Sequence, residues 1–345
     1  MEDQYLYTIC TKCLTYNHSK YIRDALQGFS MQRTSFKTVY IIIDDASTDG
    51  AQNVIKSWIS ENIDCSSEDY ICEEAQFGVL IKGSHKNNKN AYFVIFLLNE
   101  NHYRKKSKKA YLADWIYNSK YVAHCEGDDY WTDSLKLQKQ VDYLNSHPDY
   151  TFCFHAAIEH WENNEHKDRL FSKVKDRDYQ GIEFFKNWIV PTASVVLRSS
   201  VYASDLHKKV KEAKLSRGDT PLFCTAASLG KVRGMKEPMS IYRKNEGSYM
   251  AQPKTFERIS QYVCHMRVFP VLFGEEYEKI SHKYVVNCIV DNIMKSRRNN
   301  NVDEALKYKS LLQEDDRSYL IQSYLSYPFR MIYGKYILNL IKSIR

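Results

Sequence analysis

The first 147 residues contain no proline, and all seven prolines of the chain lie from Pro148 onward. Nothing in that half therefore interrupts a helix or a central strand. No apolar run approaches the roughly 18–20 residues needed to span a bilayer, which argues against a transmembrane chain. The opening Met1-Glu2-Asp3-Gln4 lacks the basic-then-apolar layout of a signal peptide, so the expected setting is cytoplasmic, with reduced thiols. No internal repeat or low-complexity tract is visible. The nine cysteines include one C-x-x-C, Cys10 and Cys13, but no second pair at zinc spacing follows. Their neighbours read as a strand, where positions three apart face opposite sides.

What is present describes a globular chain. Its 345 residues suit one large or two ordinary domains, and 43% hydrophobic with 26% charged residues excludes disorder as the main state. The 49 basic against 42 acidic residues give +7, which points to a polyanion, a phosphate ligand or a membrane surface. The proline-free half alternates strand and helix patterns. Tyr5–Leu14 is β-rich; Tyr21–Met31 has helical spacing through Ile22, Ala25, Leu26 and Phe29; Thr38–Ile43 reads as a strand buried on both faces. Val54, Ile55, Trp58 and Ile59 fit one helical face, Val79–Lys82 and Tyr121–Cys125 are strands, and Leu135–Leu144 is a helix. Such alternation predicts an α/β fold with a mostly parallel sheet. Phe152–Trp161 and Ser194–Leu197 are further strands, and Thr220–Ser228 is a helix with Pro221 in its first turn. From about Pro253 the pattern is nearly continuous helix, with Met266, Phe269, Val285, Ile289 and Ile293 as apolar positions. The boundary expected from this shift separates residues 1–250 from a helical region, 251–345.

Open α/β sheets bind ligands at the carboxyl ends of their strands, and two acidic clusters fall there. Asp44-Asp45-Ala46-Ser47-Thr48-Asp49-Gly50 follows the Val39–Ile43 strand. Ser47 or Asp49 could cap the next helix, but capping needs one short polar side chain, not two adjacent carboxylates. Glu126-Gly127-Asp128-Asp129 follows the Tyr121–Cys125 strand. Three carboxylates within four residues repel one another unless a cation or donors compensate. Oxygen ligands on a short turn suit Mg²⁺ or Mn²⁺ with a phosphate completing the shell, and Gly127 would let backbone approach a ligand. The bland alternative is a solvated acidic turn.

Together these clusters resemble the inverting nucleotide-sugar glycosyltransferases of family 2, with the GT-A fold. Thr15-Tyr16-Asn17-His18, followed by Tyr21-Ile22 and Ala25-Leu26, is similar to that family's first strand-to-helix turn. Gln32 stands where the family has its Ser-x-x-x-Gln helix end, and Asp44 to Gly50 resembles its second turn. Glu126 to Trp131, continuing Thr132-Asp133-Ser134-Leu135-Lys136-Leu137-Gln138, resembles its DxD region. The resemblance is strong over residues 5–150 and weaker to about 250. It implies a GT-A nucleotide-sugar-binding fold: a mixed, mostly parallel sheet flanked by helices, plus a helical C-terminal extension. It implies donor contacts from Thr15, Tyr16 and Asn17, with Tyr16 against the base, and from Asp45, at the base edge. A carboxylate accepting a pyrimidine N–H favours UDP. Glu126 and Asp128 would contact ribose, metal or water, and Asp129, with Asp128, would hold Mn²⁺ or Mg²⁺. Aspartate is more usual where Glu126 stands.

The reaction needs a base for the acceptor hydroxyl and a cation to offset charge on the departing diphosphate. Arg217-Gly218-Asp219-Thr220-Pro221-Leu222 matches the family's base loop, which makes Asp219 the general base of a single inverting displacement. A helix cap is the structural alternative. Ser240 to Ser248 resembles the stretch that closes over the diphosphate, where Arg243 would contact phosphate; the family often has histidine where Asn245 stands. Ile189 to Ser194 is expected near the acceptor.

Arg104-Lys105-Lys106-Ser107-Lys108-Lys109 reads as a solvated basic loop able to attract an anionic donor or lipid head groups. Nucleic acid is not an expected partner, since no recognition motif accompanies the run. Arg317 to Arg345 holds five basic residues and no acid, so it carries +5 of the +7 and leaves the other 316 residues at +2. With Tyr324, Tyr327, Phe329, Met331, Ile332, Tyr336, Ile337, Leu338, Leu340 and Ile341, it suits a basic amphipathic helix on an anionic leaflet, or a helix packed on the core. The expected function is transfer of a sugar from a nucleotide-sugar donor to a cell-surface polysaccharide, lipopolysaccharide or lipid-linked saccharide, at the inner face of the cytoplasmic membrane. The alternatives are a catalytically inactive sugar-nucleotide or glycan-binding scaffold, and a nucleotidyltransferase. The last is disfavoured by the absence of glycine from Thr15-Tyr16-Asn17-His18.

Overall fold

The computed structural model describes residues 5–103, 105–163, 166–215, 218–245 and 255–343, with side chains up to Met331. The chain divides into two compact units, Met1–His207 with Phe223–Ser248, and Lys208–Leu222 with Tyr249–Arg345. The first begins β1 (Tyr7–Thr15), α1 (Ile22–Ser30), β2 (Thr38–Asp44), α2 (Ala51–Asn62), β3 (Ile71–Ala75), β4 (Gly78–His85), β5 (Asn88–Leu98) and α3 (Lys109–Tyr117). It continues with β6 (Ser119–His124), β7 (Tyr130–Trp131), α4 (Lys136–Ser146), β8 (Tyr150–Trp161), β9 (Arg169–Leu170), β10 (Asp178–Tyr179) and α5 (Gly181–Lys186). Then come β11 (Val196–Arg198), α6 (Ser200–Ala203), α7 (Asp205–Glu212), α8 (Asp219–Leu229) and β12 (Lys231–Lys244). The changeovers between units fall within α7 and α8.

One mixed sheet runs β10-β12-β8-β11-β6-β1-β2-β5-β4-β3, with β7 on β12 and β9 on β8. Its centre, β6-β1-β2-β5, is parallel, as is the β8-β12 pair; the remaining ladders are antiparallel. The central strands are parallel because each βα unit returns its chain over the sheet through a helix. Every residue of β2 is buried, as its unbroken Thr-Val-Tyr-Ile-Ile-Ile run demands. On one face Cys13, Tyr40, Ile42 and Ile95 pack against α1, α2 and α4 through Leu26, Phe29, Trp58 and Val141. On the other, Cys10, Val39, Ile41 and Val94 pack against Leu112 and Ile116 of α3. Cys10 and Cys13 thus sit in opposite cores, and neither is half of a redox pair. Each large side chain buried this way contributes about 1.5–3 kcal/mol.

Several elements are absent from the sequence reading, α3, α5 and α7 among them, and the two longest are β5 and β12. The β3-β4-β5 meander includes an 11-residue strand, β5, and the 14-residue β12 contains Gly234 and Pro238. Pro238 sits between two register shifts in the β8 ladder, the place where a strand tolerates a missing N–H.

The second unit is helical. α9 (Phe256–Phe273), α10 (Glu278–Arg298), α11 (Val302–Lys309) and α12 (Arg317–Ser343) follow one another. The 3.6-residue spacing of Val285, Val286, Ile289, Val290 and Ile293 buries one side of α10. Buried Asp316 accepts from Arg267 and from the backbone of Gln313, fixing the start of α12. Tyr327 is buried, while Ile321, Leu325 and Phe329 are exposed along one stripe of α12. The side chains of Ile332, Tyr336, Ile337, Leu338, Leu340 and Ile341 lie outside the described residues. Among those described, no helix is long and apolar enough to cross a membrane.

Candidate functional site

The carboxyl ends of β6, β1 and β2 are adjacent, with Thr15 opposite Asp44 and Lys12 opposite His124. The turns after them therefore lie side by side. The first two are zipped together: Asn17 N donates to Ser47 Oγ (2.9 Å), Thr48 N to Asn17 Oδ1 (2.8 Å) and Ser19 N to Asp49 Oδ2 (2.8 Å). Asn17 and Ala46 take left-handed backbone, with φ of 56° and 59°; asparagine is tolerant of that conformation and alanine is not, so the turn imposes it. The Asn17 side-chain oxygen is thus committed to the frame.

The two adjacent aspartates separate in role. Asp44 is fully buried and shapes its own turn, accepting from Ser47 N (2.9 Å), Ser47 Oγ (2.5 Å) and Gln52 Nε2 (2.8 Å). Asp45 turns to the segment after β5: Oδ1 accepts from His102 N (2.8 Å), Oδ2 from Lys108 Nζ (2.8 Å), and its carbonyl from Asn101 Nδ2 (3.0 Å). The basic run is therefore not merely solvated. Lys108 closes onto the site, a pairing across 63 residues that no local pattern signals; Arg104 lies outside the described residues. Tyr16 stands 44% exposed at the end of β1, so it is not a core aromatic.

The acidic turn leans on β1. A Cβ on Gly127 would lie 2.5 Å from Thr15 Oγ1, so glycine is what lets the two chains approach. Thr15 is buried, and its hydroxyl lies 3.2 Å from His18 Nδ1; His18 Nε2 lies 3.9 Å from Asp128 Oδ2. Asp128 Oδ2 also accepts from Asn245 Nδ2 (3.3 Å), and Asp129 Oδ1 from the backbone N of Arg243 (2.9 Å). Gln32 ties α1 to the following segment, donating to Asp133 O (2.8 Å) and accepting from Leu137 N (3.1 Å).

Arg243, the expected phosphate contact, is engaged within the protein. It is 7% exposed, paired with Asp24 and with Glu162, and its guanidinium lies over the rings of Tyr21 (5.0 Å) and Tyr130 (4.5 Å). It holds β12 and α1 around the acidic turn. Residues 246–248 of the same stretch lie outside the described residues. Asp219 is the first residue of α8, half-buried, so that helix begins one residue earlier than expected; Arg217 is outside the described residues.

Burial and the neighbouring Asp128 push the Asp129 carboxyl well up from its ordinary value. Burial likewise raises Glu126 to about 7 from 4.5, against the pull of Lys12. Among the described residues no three His, Cys, Asp or Glu side chains are arranged to hold an ion by themselves. Crowded carboxylates of this kind suit Mg²⁺ or Mn²⁺, which take one or two protein carboxylates together with substrate phosphates. Asp128 and Asp129 fit that donor set.

A folded-state pKa above the unfolded value means that the folded chain binds the Glu126 proton more tightly. Its penalty is absent below pH 4.5 and complete above about 7. Glu126→Gln should therefore be more stable than the parent by about 2 kcal/mol at pH 8, after allowing for solvent screening, and equal to it at pH 4.5. Denaturant midpoints at the two pH values check this.

No protein-family model matches the chain. Three uncharacterized proteins, two from Mycobacterium tuberculosis strains and one from Mycobacterium bovis, are each 32% identical over 233 residues, 67% of this chain and 57% of theirs. The chain thus spans little more than half the length of these relatives. Among solved structures, S. aureus TarS residues 1–349 in complex with UDP-GlcNAc aligns at 12% identity and a TM-score of 0.49, over 88% of this chain and 91% of that one. A mannosyltransferase from Pyrobaculum calidifontis in complex with GDP-Man and Mn²⁺ aligns at 14% identity and 0.48, over 94% and 87%. Different chemistries share folds at such distances.

Proposed function

We propose that the chain is a metal-dependent, inverting glycosyltransferase of the family 2, GT-A type, using a UDP-linked sugar and a hydroxyl of a cell-surface or lipid-linked saccharide. The observation that carries this reading is the acidic turn Glu126–Asp129 beside Tyr16 and Asp45, all at the carboxyl ends of three adjacent parallel strands. Tyr16 offers an exposed ring to the base, and Asp45 Oδ2 accepts the base N–H alongside, or in place of, its hydrogen bond from Lys108 Nζ. Asp128 and Asp129 hold Mn²⁺ or Mg²⁺, which supplies charge compensation for the leaving diphosphate. Asp219 takes the proton from the acceptor hydroxyl, and the acceptor oxygen bonds to the anomeric carbon as the bond to UDP breaks. Thr15, Asn17, Glu126 and Arg243 complete the proposed donor contacts, with Asn17 and Arg243 also bonded within the frame.

Calorimetry with UDP, GDP and CMP, with and without Mn²⁺, tests the donor half. Mn²⁺-dependent binding of UDP is expected; a preference for GDP or CMP refutes the assignment of Asp45. Turnover on a panel of UDP-sugars separates an enzyme from a binding scaffold.

The reading includes peripheral attachment through α12. The exposed stripe Ile321, Leu325 and Phe329 on a segment with basic residues and no acid supports it. Ile321→Glu with Leu325→Glu should abolish sedimentation with phosphatidylglycerol vesicles and leave UDP binding unchanged. Equal sedimentation of parent and variant would remove the membrane from the reading.

A further inference from the structure

A second patch near the acidic turn has features of a ligand surface that the donor reading does not use. Phe171, Trp188 and Tyr242 meet edge to face, with centroids 5.1 Å (Phe171–Trp188), 5.7 Å (Trp188–Tyr242) and 4.9 Å (Phe171–Tyr242) apart. Trp188 nevertheless keeps 41% of its surface exposed. Three aromatic rings locked against one another form a rigid platform, and an exposed indole on it costs hydrophobic free energy unless something covers it.

One side of the platform carries a charge, which stands over two of its rings. Lys244 Nζ lies 5.5 Å from the Trp188 ring and 4.8 Å from that of Tyr242, and 3.4 Å from Glu159 Oε1. Glu159 is 6% exposed and is also paired with Arg169. The surface that Trp188 leaves exposed therefore lies beside a charged hydrogen-bonding group, which does not match an apolar protein helix. It matches a pyranose, whose C–H-bearing face lies on aromatic rings while its hydroxyls need donors and acceptors at the edge.

Its position follows from β12. The backbone N of Arg243 holds Asp129, while Tyr242 and Lys244, alternating with it, project from the opposite face of the strand. The segment after Trp188 is anchored to the strand that follows the acidic turn: Trp131 Nε1 donates to Ala193 O (2.9 Å). The platform is therefore joined to the residues assigned to the donor through β12 and through the Trp131–Ala193 hydrogen bond.

We infer that Trp188, with Phe171 and Tyr242, forms a saccharide-binding subsite that seats a pyranose ring of the acceptor. The inference rests on the glycosyltransferase reading for the word acceptor, but not for saccharide binding itself.

The test is saturation-transfer NMR of the full chain with methyl α-D-glucopyranoside, methyl α-D-mannopyranoside and methyl β-N-acetylglucosaminide. UDP calorimetry with Mn²⁺ is run on the same samples. At least one glycoside should receive saturation on one face of its ring. Trp188→Ala should weaken that contact roughly three- to tenfold, Trp188→Phe should restore most of it, and UDP affinity should not change in either. Undiminished contact in Trp188→Ala overturns the subsite, as does absence of contact in the parent chain when UDP binds normally. Contact that depends on Trp188 in a chain that fails to bind UDP upholds the subsite and refutes the donor reading instead.

Discussion

Asp129→Asn is expected to abolish the Mn²⁺ dependence of UDP binding and to lower turnover by about a thousandfold, the scale of several kcal/mol of lost charge stabilisation. The substitution is chosen because the fold should survive it. The amide oxygen of asparagine can still accept the Arg243 N–H that Asp129 Oδ1 accepts at 2.9 Å, so β12 stays docked on the acidic turn. What it loses is the negative charge, which burial and Asp128 already make costly to hold. The apo variant should therefore melt at or above the parent temperature while losing its response to the ion. Mn²⁺ that still tightens UDP binding by the parental factor would show that the ion sits elsewhere, and the role of Asp129 would fall with it.

Asp219→Asn separates chemistry from binding. A general base contributes on the order of 10²–10⁴ in rate, so kcat should fall by that factor while UDP affinity stays within about twofold. Asparagine preserves the size and polarity of a residue that opens α8. If Asp219 served only the helix N-terminus, its replacement would cost about 0.3–1 kcal/mol of stability with little effect on kcat. The ratio of kcat loss to stability loss therefore decides between base and cap.

Elements with one dominant signal were readable without coordinates. The fully apolar run of β2, the 3.6-residue spacing of α1, α4 and α10, and the two acidic turns after strands all appear where the pattern puts them. β5 was harder, since its apolar run from Tyr92 to Leu98 is as consistent with a buried helix as with a strand, and only pairing with β2 and β4 decides. β12 was harder still, because Gly234 and Pro238 read as breakers until the bulges that absorb them are seen. At the site, residue types were legible but partnerships were not. The interactions of Arg243 with Asp24 and of Asp45 with Lys108 span 219 and 63 residues. A long charged side chain looks the same in sequence whether it waits for a ligand or has already been claimed by the fold. His18, which bridges Thr15 and Asp128, carried no signal beyond its place in the first turn.

The cross-links between the first two turns have a consequence for the thermodynamics of donor capture. Because Asn17, Ser19, Ser47, Thr48 and Asp49 bond to one another in the free chain, both loops are immobilised when the sheet forms. The entropy of ordering them is lost at folding and is not lost again on each encounter with a nucleotide. Asp45, by contrast, is held by Asn101, His102 and Lys108, and the Lys108 contact is the one a nucleotide base would have to share or displace. Association should accordingly resemble docking to a preformed floor with one ion pair to exchange. Its rate should depend on ionic strength through the Lys108–Asp45 pair, and hardly at all on reorganisation of the strand ends.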